Sequence, residues 1–290
     1  METVSIIVEL LTFGIILGTV YALVAIGLSL IFGVSGIVNL THGDFVMLGA
    51  FATFGAWSYL GINPIVMLPI SMVLLGVIGV AMRRYIIGSV PEKGLMPPMM
   101  LTFGLSLIIW NSAEMIFGPS FRSIDYLAEP LSLGFVTASC SYFVAFVLAI
   151  LLLIILYVLL KFSNFGKAIR AVAQNRDLAR GCGIDVQNVE AVAFGLGAAL
   201  AGACGTMVAM LWTIYPQMGL TYLSKAFAIV VIGGLGSLPG ALLGAYMFGL
   251  AETVGGYWMS SRIAQVLPFV IVIFILAVRR RGLFGGGQAD

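Results

Sequence analysis

Long apolar runs, separated by short polar or glycine-rich interruptions, dominate the chain. Crossing the hydrocarbon core of a bilayer takes ~20 apolar residues as a helix. Runs of that kind occupy 7–32, 43–60, 64–82, 97–117, 140–160, 189–211 and 263–279. A further apolar stretch, 222–255, is interrupted at Gly233-Gly234-Leu235-Gly236-Ser237-Leu238-Pro239-Gly240. The pattern predicts an all-α, polytopic membrane helical bundle. It has roughly eight transmembrane helices, with 222–255 counted as a broken or re-entrant pair.

Basic residues orient such a bundle, because they are retained on the cytoplasmic side. Lys161, Lys167, Arg170, Arg176 and Arg180 share one polar loop; Arg83, Arg84 and Lys93 mark another; Arg279, Arg280 and Arg281 follow the last run. The N-terminal stretch carries Glu2 and Glu9 and no base. The expected topology has the N-terminus outside and the C-terminus cytoplasmic, which requires 222–255 to enter and return. With no basic segment before the first apolar run, that run is expected to stay as a membrane helix rather than be cleaved. The external loop 118–139, with Arg122, Asp125 and Glu129, is long enough to pack as a lid. The expected organisation is one transmembrane domain, 1–282, containing the cytoplasmic segment 161–188, followed by a flexible tail, 283–290.

Composition narrows the class. Hydrophobic residues make up 61% of the 290 and charged residues 9%. Soluble domains carry about 25% charged residues, so lipid is the solvent for much of this surface. The 36 glycines, poor helix formers in water, let helices approach closely in a membrane. A net charge of +2 suggests no nucleic-acid partner. Cys140, Cys182 and Cys204 form no CxxC pair, and His42 is the sole histidine. Neither a metal site nor a haem site is expected, and the cysteines read as packing residues. Gly166-Lys167 is followed by Ala168, so no phosphate-binding P-loop is present. Nor is there an HExxH, a GxSxG or an intramembrane Asp pair. The chain is not expected to be an enzyme, and no cofactor is implied.

Three polar or glycine-rich segments interrupt the apolar pattern. The first is Gly33-Val34-Ser35-Gly36-Ile37-Val38-Asn39-Leu40-Thr41-His42-Gly43-Asp44. Broken backbone at membrane depth is tolerated only where protein or a water-filled cavity solvates it. The segment therefore reads either as a pathway-lining gate or as a tight cytoplasmic turn in which Asn39 and His42 cap the next helix. The second is Gly233 to Gly240, continuing to Gly244. Gly236, Gly240 and Gly244, four residues apart, offer a smooth packing face. Pro239 suits a first helical turn and Ser237 its cap. That helix's N-terminal dipole would attract a carboxylate or carbonyl oxygen. Gly14, Gly18 and Ala22 form a similar small face on the first helix, read as packing alone. The third is 161–188, where 167–180 fits one short amphipathic helix. Ile169, Val172 and Ala173 lie on its apolar face, bases and amides opposite, and Gly181 and Gly183 stop it. It suits docking to a soluble partner or lying on anionic lipid.

Ionisable groups inside apolar stretches are usually paired or functional. Glu114, Lys225 and Glu252 are such groups. The topology puts Lys225 and Glu252 at similar depth on adjacent arms of the broken pair, and they are expected to form an ion pair. Leu48-Gly49-Ala50-Phe51 and Leu243-Gly244-Ala245-Tyr246 form a short internal echo, of the kind transporters carry around a central site.

With these segments in view, the chain resembles the branched-chain amino acid ABC permease family, its LivH-like members in particular. The resemblance covers nearly the whole length. Tyr21-Ala22-Leu23-Val24-Ala25-Ile26-Gly27 followed by Asn39-Leu40-Thr41-His42-Gly43-Asp44 is similar to the family's first signature, with Thr41 where Ala is usual. Gly166-Lys167-Ala168 through Ala173, then Ala179 and Gly183-Ile184, resembles its cytoplasmic coupling segment. Lys225-Ala226-Phe227 and Gly233 to Ala241 resemble the third signature.

The resemblance implies a permease subunit of the bacterial cytoplasmic (inner) membrane. It would work with a second related permease, two cytoplasmic ATPase subunits and a periplasmic substrate-binding protein. It implies a gate or pathway role for Gly33, Asn39, His42, Gly43, Gly233, Gly234, Gly236, Ser237 and Gly240. It implies ATPase coupling by Lys167, Arg170, Ala173, Asn175, Asp177, Ala179, Gly183 and Ile184. Branched-chain or other neutral amino acids are the expected solutes, with urea or short amides as the alternative. An ATP-independent small-solute channel is the competing class, and it would have no need of 167–184.

Overall fold

The structure is a computed structural model in which residues 2–90, 94–133, 136–259 and 261–278 are described. Lys93, Arg279, Arg280, Arg281 and the tail 283–290 lie outside the described residues. Eleven α-helices appear among those described: α1 (Glu2–Ser35), α2 (His42–Leu60), α3 (Pro64–Ala81), α4 (Met96–Phe117), α5 (Cys140–Phe162), α6 (Asn164–Gln174), α7 (Arg176–Gly181), α8 (Val186–Leu211), α9 (Met218–Gly233), α10 (Leu238–Trp258) and α11 (Ser261–Val278). Beyond α3 the chain passes through a π-helical turn, Met82–Ile86, and a 3-10 turn, Ile87–Ser89.

Among the described residues, five helices are long and apolar enough to cross a bilayer, namely α1, α3 with its extension, α4, α5 and α8. The pair α9 and α10, bent by 117°, makes six. The sequence count of roughly eight also includes α2, which opens on His42, Gly43 and Asp44 and is not apolar enough to meet that threshold, and α11, in which Val266–Ile275 is apolar.

Small residues decide which helices are central. In α1 and α8, 83% of the most apolar window is buried, against 11% in α4 and 22% in α5. A Cβ on Gly14 would lie 2.6 Å from Leu250 Cδ2, and one on Gly18 would lie 2.9 Å from Tyr246 Cα. Gly14 and Gly18 therefore seat α10 directly on α1. On the other side, a Cβ on Gly197 of α8 would come within 2.7 Å of the Gly27 carbonyl. Gly49 of α2 meets Gly202 of α8, where an added Cβ would stand 2.5 Å from the carbonyl oxygen. This is close approach of backbones, the usual means of packing helices in lipid.

Hydroxyls knit the same seam. Thr53 Oγ1 donates to Thr206 Oγ1 at 3.0 Å, and Ser71 Oγ lies 2.8 Å from Thr206 Oγ1. All three residues are fully buried, and they join α2, α8 and α3. The two halves of the internal echo behave alike. Gly49 packs on α8, while a Cβ on Gly244 would lie 2.6 Å from the Ile229 carbonyl of α9.

The loop after α4 contains two strands the apolar pattern did not predict. Strands β1 (Pro130–Leu133) and β2 (Val136–Ser139) pair antiparallel, Pro130 opposite Ser139. Val136 and Ala138 are buried and Thr137 exposed, the alternation of a half-buried strand. The loop is also stitched to the connection between α8 and α9. Arg122 N donates to Ile214 O at 2.9 Å and Ile214 N to Arg122 O at 2.7 Å.

Gly49→Ala should destabilise the protein by at least the roughly 1–3 kcal/mol of an overpacked core, read as a lower thermal midpoint in detergent. Gly104→Ala on α4, where an added Cβ meets nothing within 4 Å, should leave the midpoint unchanged or raise it.

Candidate functional site

Between α1 and α2 the chain is non-helical from Gly36 to Thr41, with Ile37, Asn39 and Thr41 buried and the others half-buried. Gly36 takes φ +62°, in the left-handed region that favours glycine. Side chains satisfy the exposed backbone. Leu40 N donates to Thr102 Oγ1 of α4 at 3.2 Å. Thr41 donates to Asn39 Oδ1 from both its N–H, at 3.1 Å, and its hydroxyl, at 2.7 Å. His42 Nε2 donates to the Val24 carbonyl of α1 at 2.9 Å. Asn39 and His42 are fully buried. The capping expected of them is replaced by these contacts, and Thr41 is the residue that precedes α2. Gly33 is still helical, in the last turn of α1. Gly43 lies against Gly219 of α9, with no room for a side chain.

The break between α9 and α10 uses glycine differently. Gly234 and Gly236 have φ +96° and +80°. Ser237 Oγ accepts from Gly240 N at 3.2 Å, capping α10, with Pro239 in the first turn. Gly233 and Gly240 face each other across the hairpin, and no Cβ fits between them. Gly236 belongs to the turn and not to a helical face. The packing face expected of Gly236, Gly240 and Gly244 is therefore carried by Gly240 and Gly244 on α10.

The two breaks touch. A Cβ on Gly33 would lie 3.3 Å from Gly236 Cα, and one on Gly236 would lie 3.3 Å from Gly33 Cα. Beside this contact lies a cavity of ≈ 1070 Å³. It is lined by Gly33, Ser35 and Gly36 from the first break, Gly236 and Ser237 from the second, and residues 172–176 from the amphipathic segment. Three motifs far apart in sequence meet there. Asn39, His42, Gly43, Gly233, Gly234 and Gly240 do not line the cavity; they hold the two breaks from behind.

The amphipathic segment is two helices and not one. Asn175, at φ −160°, breaks it, and its Oδ1 accepts from Asp177 N and Leu178 N, capping α7. The asparagine's capping preference outweighs helical continuity. Gly166, Ile169 and Val172 form the buried face of α6, while Ala173 is exposed, contrary to its expected place on the apolar face. Arg170 donates to the Leu160 carbonyl, holding α6 against the end of α5. Lys167 Nζ donates to Asn164 Oδ1 at 3.3 Å. Asp177 is 93% exposed and lies 3.6 Å from Arg180. Ala179 is buried and accepts from Ile184 N at 3.1 Å; Gly183 turns the chain at φ +80°.

Two charged clusters lie within the bundle. Lys225 Nζ is 2.7 and 2.9 Å from the two Glu252 oxygens and 2.7 Å from Tyr21 Oη. It also stands 4.5 Å from the centre of the Tyr21 ring, close enough for cation–π attraction. The second cluster has no counterpart in the sequence reading. Glu190 of α8 is buried and pairs with Arg83 on the π-helical turn and, at 3.2 Å, with Arg176 at the start of α7. Glu190 reads in sequence as part of the polar start of a helix, and no local spacing ties it to Arg83. Of the ionisable residues singled out in sequence, Glu114 accepts from Gln217 Nε2 at 3.4 Å.

The chain is thus a polytopic membrane helical bundle in which two broken helical segments meet an amphipathic segment at one cavity. Residues 10–276 match the family described as branched-chain amino acid transport system / permease component, and the chain belongs to that family. It is 28% identical to the high-affinity branched-chain amino acid transport system permease protein LivH of Escherichia coli, over 96% of this chain and 95% of that one. It is 28% identical to BraD of Pseudomonas aeruginosa, also a high-affinity branched-chain amino acid transport system permease protein, with the same coverage. A more distant likeness, 24% identity over 79% of this chain and 59% of the other, is to the E. coli permease protein LivM. No solved structure matches the chain.

Exchanging either charge, as Lys225→Glu or Glu252→Lys, should cost about 3–5 kcal/mol, as for a buried pair left broken. The double exchange should recover most of the loss in thermal midpoint and yield. A double variant as unstable as the singles would show that the pair does not hold the two arms together.

Proposed function

We propose that this chain is one of two related permease subunits of an ATP-binding-cassette importer. It forms part of the pathway for branched-chain or other neutral amino acids delivered by a periplasmic binding protein. The observation that carries the reading is the meeting of both glycine-rich breaks and the 172–176 stretch at one cavity, in a chain of this family. Likeness to LivH and, more weakly, to LivM supports a pair of related permeases.

In this reading the protein is a single transmembrane domain of the bacterial inner membrane, with its N-terminus outside and α6 and α7 cytoplasmic. Two separate ATPase subunits dock on α6 and α7 and hydrolyse ATP. Their closure displaces the segment, and the Gly33–Gly236 contact opens or shuts the cavity. The glycine pair suits a gate, because two surfaces without side chains part with little loss of interlocking contact. Among the described residues the cavity lining is mostly uncharged, with Arg83 and Arg176 as its charged members, which suits zwitterionic or neutral solutes. Urea or a short amide remains the alternative cargo, and the ligand of the co-purified binding protein decides between them.

Reconstitution of the assembled complex in liposomes tests the proposal. Uptake of a neutral amino acid should require ATP and the binding protein together. Passage of solute through this chain alone, without ATP, would replace the importer by a channel. Asp177→Ala, at an exposed position, should cut ATP-driven uptake by at least ~5-fold, the lower end of typical coupling effects, with yield unchanged. Normal uptake would remove Asp177 from the docking surface.

A further inference from the structure

The cluster around Glu190 is unused by the reading above, and its position is informative. Glu190 is 1% exposed and Arg83 6%. Arg176 Nη2 lies 3.2 Å from Glu190 Oε1 and also donates to the Val34 carbonyl at 3.2 Å. Val34 is in the last turn of α1, between Gly33 of the glycine contact and the left-handed Gly36. A Cβ on Gly36 would lie 3.6 Å from Arg176 Nη2. One guanidinium thus touches α7, α8 and the end of α1. The wide π-helical turn carries Arg83 to the same carboxylate, and a Cβ on Gly88 would lie 3.3 Å from Arg83 Nη1.

We propose that Arg176 and Glu190 form the mechanical link by which displacement of α7 reaches the Gly33–Gly236 contact; this rests on the importer reading. Three features support it. First, α7 is short, ~9 Å at 1.5 Å per residue. It carries Asp177 and the exposed Leu178 on its outer side and Arg176 at its inner end, so it acts as a stiff lever. Second, Arg176 bonds the α1 backbone directly, so pulling it moves or frees the turn beside Gly33. Third, two arginines share one carboxylate. Stripping a partner from a buried charge is costly, but when Arg176 withdraws, Glu190 keeps Arg83. The link can open without orphaning Glu190, as an isolated buried pair could not. Both residues are positioning residues.

The test uses the assembled complex in liposomes, with ATP hydrolysis and solute uptake measured on the same preparation. Arg176→Gln should leave assembly and hydrolysis near the unmodified level while uptake per ATP falls ~10-fold, within the range of typical coupling energies. Arg176→Lys, which keeps the charge, should recover a ratio clearly above that of the Gln variant. Glu190→Gln should lower uptake per ATP as Arg176→Gln does and, because it also takes the carboxylate from buried Arg83, should lower yield as well. Equal falls in hydrolysis and uptake, leaving uptake per ATP unchanged, would show that the cluster only holds α7 in place and would overturn the proposal. So would an unchanged ratio with both activities normal. If Arg176→Gln fails to assemble, the Lys variant decides: a fall in uptake per ATP with hydrolysis retained supports the link, and equal falls in hydrolysis and uptake overturn it. Absence of ATP-driven uptake in the unmodified complex would instead remove the importer reading itself.

Discussion

Backbone polar groups taken out of water must find partners inside the protein, and in a lipid-embedded bundle no loop escapes this rule. The two breaks meet it by different means. Between α1 and α2 the solution is borrowed side chains: the Thr102 hydroxyl serves Leu40 N, and the Asn39 amide serves Thr41. Between α9 and α10 the solution is local: Ser237 N donates to Gly234 O at 3.1 Å, and Ser237 Oγ caps α10. With their backbone groups partnered in these ways, the breaks can touch each other and border a cavity.

Charge is handled with the same economy. The cluster of Lys225, Glu252 and Tyr21 joins the middle of α9 to the C-terminal half of α10, away from the turn. The cluster of Arg83, Glu190 and Arg176 lies at the other end, beside the cavity. The arms are thus pinned by charge away from the turn, while the turn is held by glycine contacts and the hydrogen bonds of Ser237. Such a division gives one part of the molecule a fixed geometry and leaves the other with few interlocking side chains.

Most of the helical layout was legible in sequence, because ~20-residue apolar runs have few other readings. The hairpin turn at Gly233–Gly240 and the Ser237 cap were legible for a similar reason: glycine, serine and proline there have specific backbone uses. What stayed hidden depended on tertiary contacts. The break at Asn175 follows from a cap competing with an otherwise continuous amphipathic pattern. Ala173 falls outside the buried face because α6 is anchored through Gly166 and Arg170 to α5. Glu190 and Arg83 are far apart in sequence, as are Thr53 and Thr206. No periodicity in one segment reveals a partner in another.

The central position of α1 has a consequence for how the chain is made. Gly14 and Gly18 are seated against Leu250 and Tyr246, residues that leave the ribosome after more than two hundred others. This face of α1 is therefore late to acquire its neighbours, although the helix meets α8 earlier through Gly27. Domains generally form in order of synthesis, but the glycine face of α1 has its partner only once α10 is made. Closure of that face is thereby tied to synthesis of α10, and a product truncated before α10 would leave Gly14 and Gly18 uncovered.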